Sequence, residues 1–150
     1  MGSCLTGDRP FTSCPGYLPY NFYTMKKILP WIARLVAAII LLQTLFYKFS
    51  ASEESVYIFS QLHAEPWGRI GSGVMELIAS ILILVPKTTA WGALLGLGIM
   101  SGAILAHILV LGPVVKDDGG LLLIYAILVF ISCLYLVWIY RKSLPVLNKI

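Results

Sequence analysis

Charged residues are scarce in this sequence. Only 12% of the 150 residues are Asp, Glu, Lys or Arg, whereas 59% are hydrophobic. A soluble domain of this length cannot bury so much apolar surface, so the composition indicates a chain whose surroundings are lipid. The net charge of +4 does not indicate nucleic-acid binding, because the basic residues are scattered over the ends of apolar segments. We therefore predict the lipid bilayer as a partner and no nucleic acid.

Cysteine and histidine are also scarce. The cysteines are Cys4, Cys14 and Cys133, and no Cys-x-x-Cys pair exists, which excludes a disulfide framework, a thioredoxin-like dithiol and a cysteine zinc site. The histidines, His63 and His107, lie in a loop and in an apolar segment, at unequal depths that disfavour a shared haem. We predict no metal site and leave the cofactor unknown, with a quinone as the candidate.

Four long apolar runs are present instead. They cover residues 29–49, 68–85, 89–111 and 120–140, each close to the roughly 20 residues that a helix needs to cross a bilayer. Pro30 suits the first turn of a helix, where the amide that proline lacks has no partner. No run shows the alternation of a barrel strand. The sequence predicts an all-α bundle of four transmembrane helices, running up-down-up-down.

Basic residues set the expected orientation. Those that flank the runs share one side of the membrane: Lys26, Lys27, Lys87, Arg141, Lys142 and Lys149. The opposite side carries the acidic loops 51–67 and 112–119. The positive-inside rule therefore predicts that both termini are cytoplasmic. Residues 1–24 are polar and aperiodic, and we predict a disordered tail or an over-long start there, followed by a single transmembrane domain over residues 25–150.

The predicted spans contain few polar side chains: Arg34, Gln43, Lys48, Glu76 and His107. Glu76 is the most informative, because a carboxylate in hydrocarbon costs several kcal/mol unless it is paired, protonated or facing water. At about 1.5 Å per residue, Glu76 lies about 10 Å below the end of its helix, at a depth that Gln43, Lys48 and His107 can share. Arg34, near the other end of its span, is expected to extend its guanidinium to the membrane surface.

We predict that this layer forms a polar pocket. Glu76, Lys48 and His107 are its candidate catalytic groups. Gln43, Arg69 and Asp118 are its candidate cofactor-binding groups, with Asp117 beside them. The alternative is structural, since Glu76 paired with Lys48 or His107 could fix the packing of the helices without any reaction.

Glycines in the third run are spaced for helix packing. Gly92 with Gly96, and Gly98 with Gly102 and Ala106, form small-xxx-small rows that allow a neighbouring helix to approach closely. We expect both rows to close the bundle internally, so that leucine at Gly98 or Gly102 destabilises it. A homodimer that forms through this face is the less favoured interpretation.

The order of these residues resembles the DoxX-like family of small four-helix membrane proteins. The resemblance rests on six elements in sequence: Arg34, Lys48, the G-x-x-E from Gly73 to Glu76, the turn Pro86–Lys87, His107, and the D-G-G from Asp118 to Gly120. Relatives often carry a glycine shortly before the lysine, where this chain has Leu45, Phe46 and Tyr47, so a close helix approach is not expected there.

The resemblance implies a multi-pass protein of the bacterial inner membrane. Some family members are described as subunits of thiosulfate:quinone oxidoreductase or of other membrane-associated oxidoreductase assemblies. By that analogy the chain is an integral membrane component of a redox or respiratory assembly, acting on a quinone or a small sulfur compound together with partner redox subunits. It is at most a membrane subunit of an oxidoreductase. A noncatalytic membrane scaffold and a small proton-coupled transporter remain the alternatives.

Overall fold

The computed structural model describes the backbone of residues 20–115 and 118–141, and the side chains from residue 28 onward within those ranges. All regular structure there is helical. The helices are α1 (Tyr20–Phe49), α2 (Glu53–Gln61), α3 (Trp67–Leu84), α4 (Thr89–Ala106) and α5 (Leu121–Tyr140), and a π-helical turn, His107–Leu111, extends α4. The predicted all-α class is therefore confirmed.

Four of these segments are long and apolar enough to cross a membrane. They are Ile28–Phe49, Trp67–Leu84, Thr89–Leu111 and Leu121–Tyr140, and no end differs from the predicted spans by more than one residue. Helix α1 also extends backward to Tyr20, so Pro30 lies inside the helix. The prediction that Pro30 occupies the first turn is therefore wrong. The last residues of the predicted tail, 20–24, are helical, and residues 1–19 lie outside the described part of the chain.

The spans pack in a ring in which α1 contacts α3 and α5, and α4 contacts the same two helices. Large apolar side chains face outward along every span, as expected for a surface covered by lipid. The bundle divides into two halves along its axis. We call the half near the α3–α4 turn the packed half (residues 30–41, 77–97 and 126–140) and the other the hollow half (residues 42–76, 98–111 and 118–125).

The packed half contains most of the core. Its fully buried hydrophobic side chains are Ala37, Leu41, Ala79, Ile83, Ala93, Val129, Cys133 and Leu136. Gly92 explains the tight contact of α3 with α4, since a Cβ added there would lie 2.6 Å from the backbone nitrogen of Ile83. A Cβ at Gly96 would lie 2.9 Å from Cys133 Sγ on α5. This first glycine row therefore closes the bundle as predicted.

The second glycine row does not. A Cβ built at Gly98 or Gly102 meets no atom within 4 Å. The expectation that these two glycines allow a close helix approach is therefore wrong. The spacing of small residues identifies a face of a helix, but it carries no information on whether that face meets another helix or an open space.

Helix α2 lies in the segment predicted to be a loop. The Ser52 hydroxyl accepts a hydrogen bond from the Ser55 amide at 3.3 Å, and Glu53 and Glu54 occupy the first turn, where carboxylates favour the positive end of the helix dipole. At nine residues the helix is too short to be identified from periodicity in a segment of mixed polarity. It covers the open end of the hollow half.

Candidate functional site

The hollow half encloses a cavity of about 650 Å³. Helices α1 to α5 all contribute to its wall, which is largely apolar. Its polar and tyrosine side chains include Gln43, Thr44, Tyr47, Lys48, Ser72, Glu76, His107, Asp118 and Tyr125. Gly98 and Gly102 also line the cavity, which accounts for open space beside these two glycines. A volume of this size falls within the range of sites that hold small organic ligands.

An ion pair crosses the cavity wall between α1 and α3. Lys48 Nζ lies 2.6 Å from Glu76 Oε1, and the exposed fractions of the two side chains are 17% and 2%. The Thr44 hydroxyl is 3.2 Å from Glu76 Oε2 and 3.0 Å from the Leu41 carbonyl oxygen, so its single proton serves one of them at a time. Both carboxylate oxygens of Glu76 therefore have donors within reach, and the charge is compensated where lipid surrounds the bundle.

Arg69 lies behind this pair and not on the cavity wall. Its Nε donates to Glu65 Oε1 at 2.7 Å, and its Nη1 donates to the backbone carbonyl of Lys48. The guanidinium thereby ties the end of α1 to the start of α3. These contacts position the backbone that carries Lys48. Arg69, a candidate cofactor-binding residue from the sequence, does not line the cavity.

His107 lines the cavity where α4 changes to the π-helical turn. The ring is 6% exposed, and its Nδ1 lies 3.0 Å from the Gly112 carbonyl oxygen. A carbonyl oxygen can only accept, so the Nδ1–H of His107 donates in this contact. The turn closes through Gly112, whose amide donates to the His107 carbonyl at 2.8 Å and whose φ of 77° favours glycine.

Asp118 also lines the cavity, but its carboxylate is occupied by the backbone. Oδ1 accepts from the amides of Val115 and Gly120, both at 2.9 Å, and Oδ2 accepts from the Leu122 amide at 3.2 Å. Burial opposes ionisation of this carboxyl, but the three N–H donors outweigh it and lower the pKa of Asp118 below its usual range. The residue caps the start of α5. Its neighbour Asp117 lies outside the described residues.

Gln43 and Tyr47 lie four residues apart on α1 and both line the cavity, with Tyr125 on α5. Both α1 side chains are exposed. The sequence singled out Gln43 but missed Thr44, Tyr47 and Tyr125. Thr44 had a usable signal, since it lies one turn before Lys48 on the same helix face. The two tyrosines had none, because tyrosines at the ends of membrane helices are common interfacial anchors.

Arg34 lies in the packed half, away from the cavity. Its guanidinium carbon is 4.9 Å from the ring centres of both Trp31 and Tyr140, and the side chain is 2% exposed. The expectation that Arg34 extends to the membrane surface is therefore wrong. Two aromatic faces stabilise the cation inside the bundle, which the sequence could not show because Tyr140 is distant along the chain.

Fold and site together define a four-span membrane protein with a cavity in one half whose wall carries a buried ion pair. The chain belongs to the DoxX family, whose family model matches residues 29–109. That range contains Gln43, Lys48, Glu76 and His107 and ends before Asp118. No curated protein and no solved structure matches the chain. Among the residues that the structure describes, no group of three or more His, Cys, Asp or Glu is placed to hold a metal ion.

Proposed function

We propose that this DoxX-family protein is the membrane component of a redox assembly and binds a quinone in the cavity. One observation carries the proposal: a ligand-sized space at membrane depth is lined by a lysine–glutamate pair and a histidine. The Lys48 ammonium has three N–H donors, of which Glu76 uses one, so donors remain for a quinone carbonyl oxygen. Gln43 and Tyr125 add further polar contacts at the wall.

In this proposal the chain supplies the binding site and the protons. Reduction of a quinone to a quinol takes up two electrons and two protons. The electrons come from a partner redox subunit, and Glu76, Lys48 and His107 exchange protons with the two quinone oxygens. Arg69 and Asp118 hold the wall in place. A small sulfur compound is the other ligand class that the family resemblance implies, and the same cavity is its expected site.

The competing function is a noncatalytic scaffold. It is favoured by the contacts of Glu76, because Lys48 and Thr44 each lie within hydrogen-bond distance of one carboxylate oxygen. A buried pair of this kind can serve only to fix α1 against α3. The two functions differ in whether the cavity takes up a ligand.

Quinone binding to the purified protein distinguishes these functions. We expect the wild-type protein to retain quinone through purification and to bind added quinone, as measured by extraction and by titration in detergent. Glu76→Gln keeps the shape of the side chain and removes its charge, so it should weaken binding by about tenfold. Glu53→Gln on α2, which changes an exposed carboxylate in the same way, is the matched control. A wild-type protein that neither carries nor binds quinone would support the scaffold.

We also propose that the protein resides in the bacterial inner membrane with both termini in the cytoplasm. The test uses single cysteines at Ser60 and Lys87, both exposed and in opposite halves, after replacement of Cys4, Cys14 and Cys133. An impermeant thiol reagent should label position 60 and not position 87 in intact cells. The reverse pattern would invert the orientation.

A further inference from the structure

A second concavity lies on the outer surface of the bundle between α3 and α4. It is an open groove of about 550 Å³, lined by Met75, Trp91, Leu94, Leu95, Gly98 and Ile99. All of these residues are apolar or aromatic. Trp91 and Leu94 are 45% and 46% exposed, on a surface that the lipid chains of a bilayer contact.

The groove and the cavity that contains the ion pair share part of their walls. Met75, Gly98 and Ile99 line both. Met75 is adjacent in sequence to Glu76, so the junction lies at the depth of the ion pair. The cavity on one side of this junction contains Lys48, Glu76 and His107. The groove on the other side is an apolar surface.

The separation of α3 from α4 at this junction follows from the two glycine rows. At Gly92 the helices touch, since a Cβ built there would lie 2.6 to 2.8 Å from atoms of Ile83 and Leu82. About two turns further along, no atom lies within 4 Å of a Cβ built at Gly98. Met75, the side chain of α3 at this point, is 41% exposed, unbranched and able to change rotamer readily. The two helices therefore border an open gap at Gly98, with the flexible side chain of Met75 at its edge.

We propose that the gap is a lateral portal through which a long-chain quinone enters from the bilayer. Its head group lies in the cavity, and its isoprenoid chain passes Gly98 and lies in the groove along Trp91, Leu94 and Leu95. The inference rests on the proposed function and adds the tail-binding surface and the route. The polarity of the two spaces matches the two ends of such a molecule, and their continuity allows one molecule to occupy both.

Three Gly→Leu variants test the portal, because each introduces the same side chain where a Cβ meets no atom within 4 Å. Gly98→Leu fills the junction, Gly102→Leu fills the cavity alone, and Gly71→Leu changes a position on α3 that lines neither space. Each purified variant is titrated with a quinone that carries a long isoprenoid chain and with the same head group without a chain. Thermal unfolding of each variant confirms that it is folded.

Gly98→Leu should weaken binding of the long-chain quinone about tenfold more than binding of the chainless head group, because leucine occupies the path of the chain. Gly102→Leu should weaken both compounds, and Gly71→Leu neither. Equal effects of Gly98→Leu on both compounds, or no effect on either, would overturn the portal and leave the quinone site standing. A wild-type protein that binds neither compound would overturn the quinone site and the portal together.

Discussion

The two halves of the bundle use the same residue type for opposite purposes. In the packed half, Gly92 and Gly96 bring helices so close that a methyl group has no room. In the hollow half, Gly98 and Gly102 lie on the same helix and border open space. Charge divides similarly. Arg34 in the packed half is held between aromatic rings, whereas Lys48 in the hollow half pairs with a carboxylate at the edge of a cavity. One half therefore supplies stability, and the other keeps a space available.

The largest expected effect on stability comes from removing the Lys48–Glu76 ion pair of the hollow half. Lys48→Met leaves the Glu76 carboxylate buried without its counter-charge, which should cost about 3 kcal/mol of stability. Glu76→Gln should cost less, because the amide oxygen still accepts from Lys48. The double variant should be more stable than the sum of the two single effects predicts, by about 1–3 kcal/mol. The measurement is a double-mutant cycle by thermal unfolding in detergent. Strictly additive effects would show that the interaction between Lys48 and Glu76 does not contribute to stability.

The next effect compares the two glycine rows directly. Gly92→Ala places a methyl group against the backbone of Ile83 and should destabilise the protein by about 1–3 kcal/mol. Gly98→Ala meets no atom and should be neutral or stabilising by up to about 1 kcal/mol, because alanine favours the helix over glycine. Unfolding temperatures of the two variants check this contrast. Equal destabilisation at both positions would mean that the hollow half is packed as tightly as the other.

The smallest effect concerns the start of α5. Asp118→Ala removes the acceptor for three backbone amides and should cost about 1 kcal/mol at neutral pH. The lowered pKa of Asp118 means that its contribution is complete above the ordinary aspartate pKa, which is 3.8, and declines as the pH falls through the lower value of the folded protein. The stability difference between wild type and variant should therefore shrink as the pH falls below 3.8. A pH-independent difference would place the cause outside the carboxylate.

Much of this arrangement follows from the sequence. Span positions could be read from hydropathy, because length and composition are set by the bilayer. The shared depth of Lys48 and Glu76 could be derived from the rise of a helix, and the structure brings the two groups together. The pairing of Arg69 with Glu65 is a local i, i+4 contact, whereas its bond to the Lys48 carbonyl depends on how α1 meets α3. A single sequence does not show tertiary packing. Three features depend on it: helix α2, the placement of Arg34 between the rings of Trp31 and Tyr140, and the open space beside Gly98.

The open space beside Gly98 and Gly102 separates the capacity of the cavity from the integrity of the fold. Neither position contacts another helix through the place where a side chain would be, so side chains of increasing size there reduce the cavity stepwise while the contacts around Gly92 and Cys133 stay unchanged. We therefore expect single substitutions at these two positions to change the size of the cavity at little cost to folding. For protein engineering, Gly98 and Gly102 are therefore the positions at which to change the shape of the cavity.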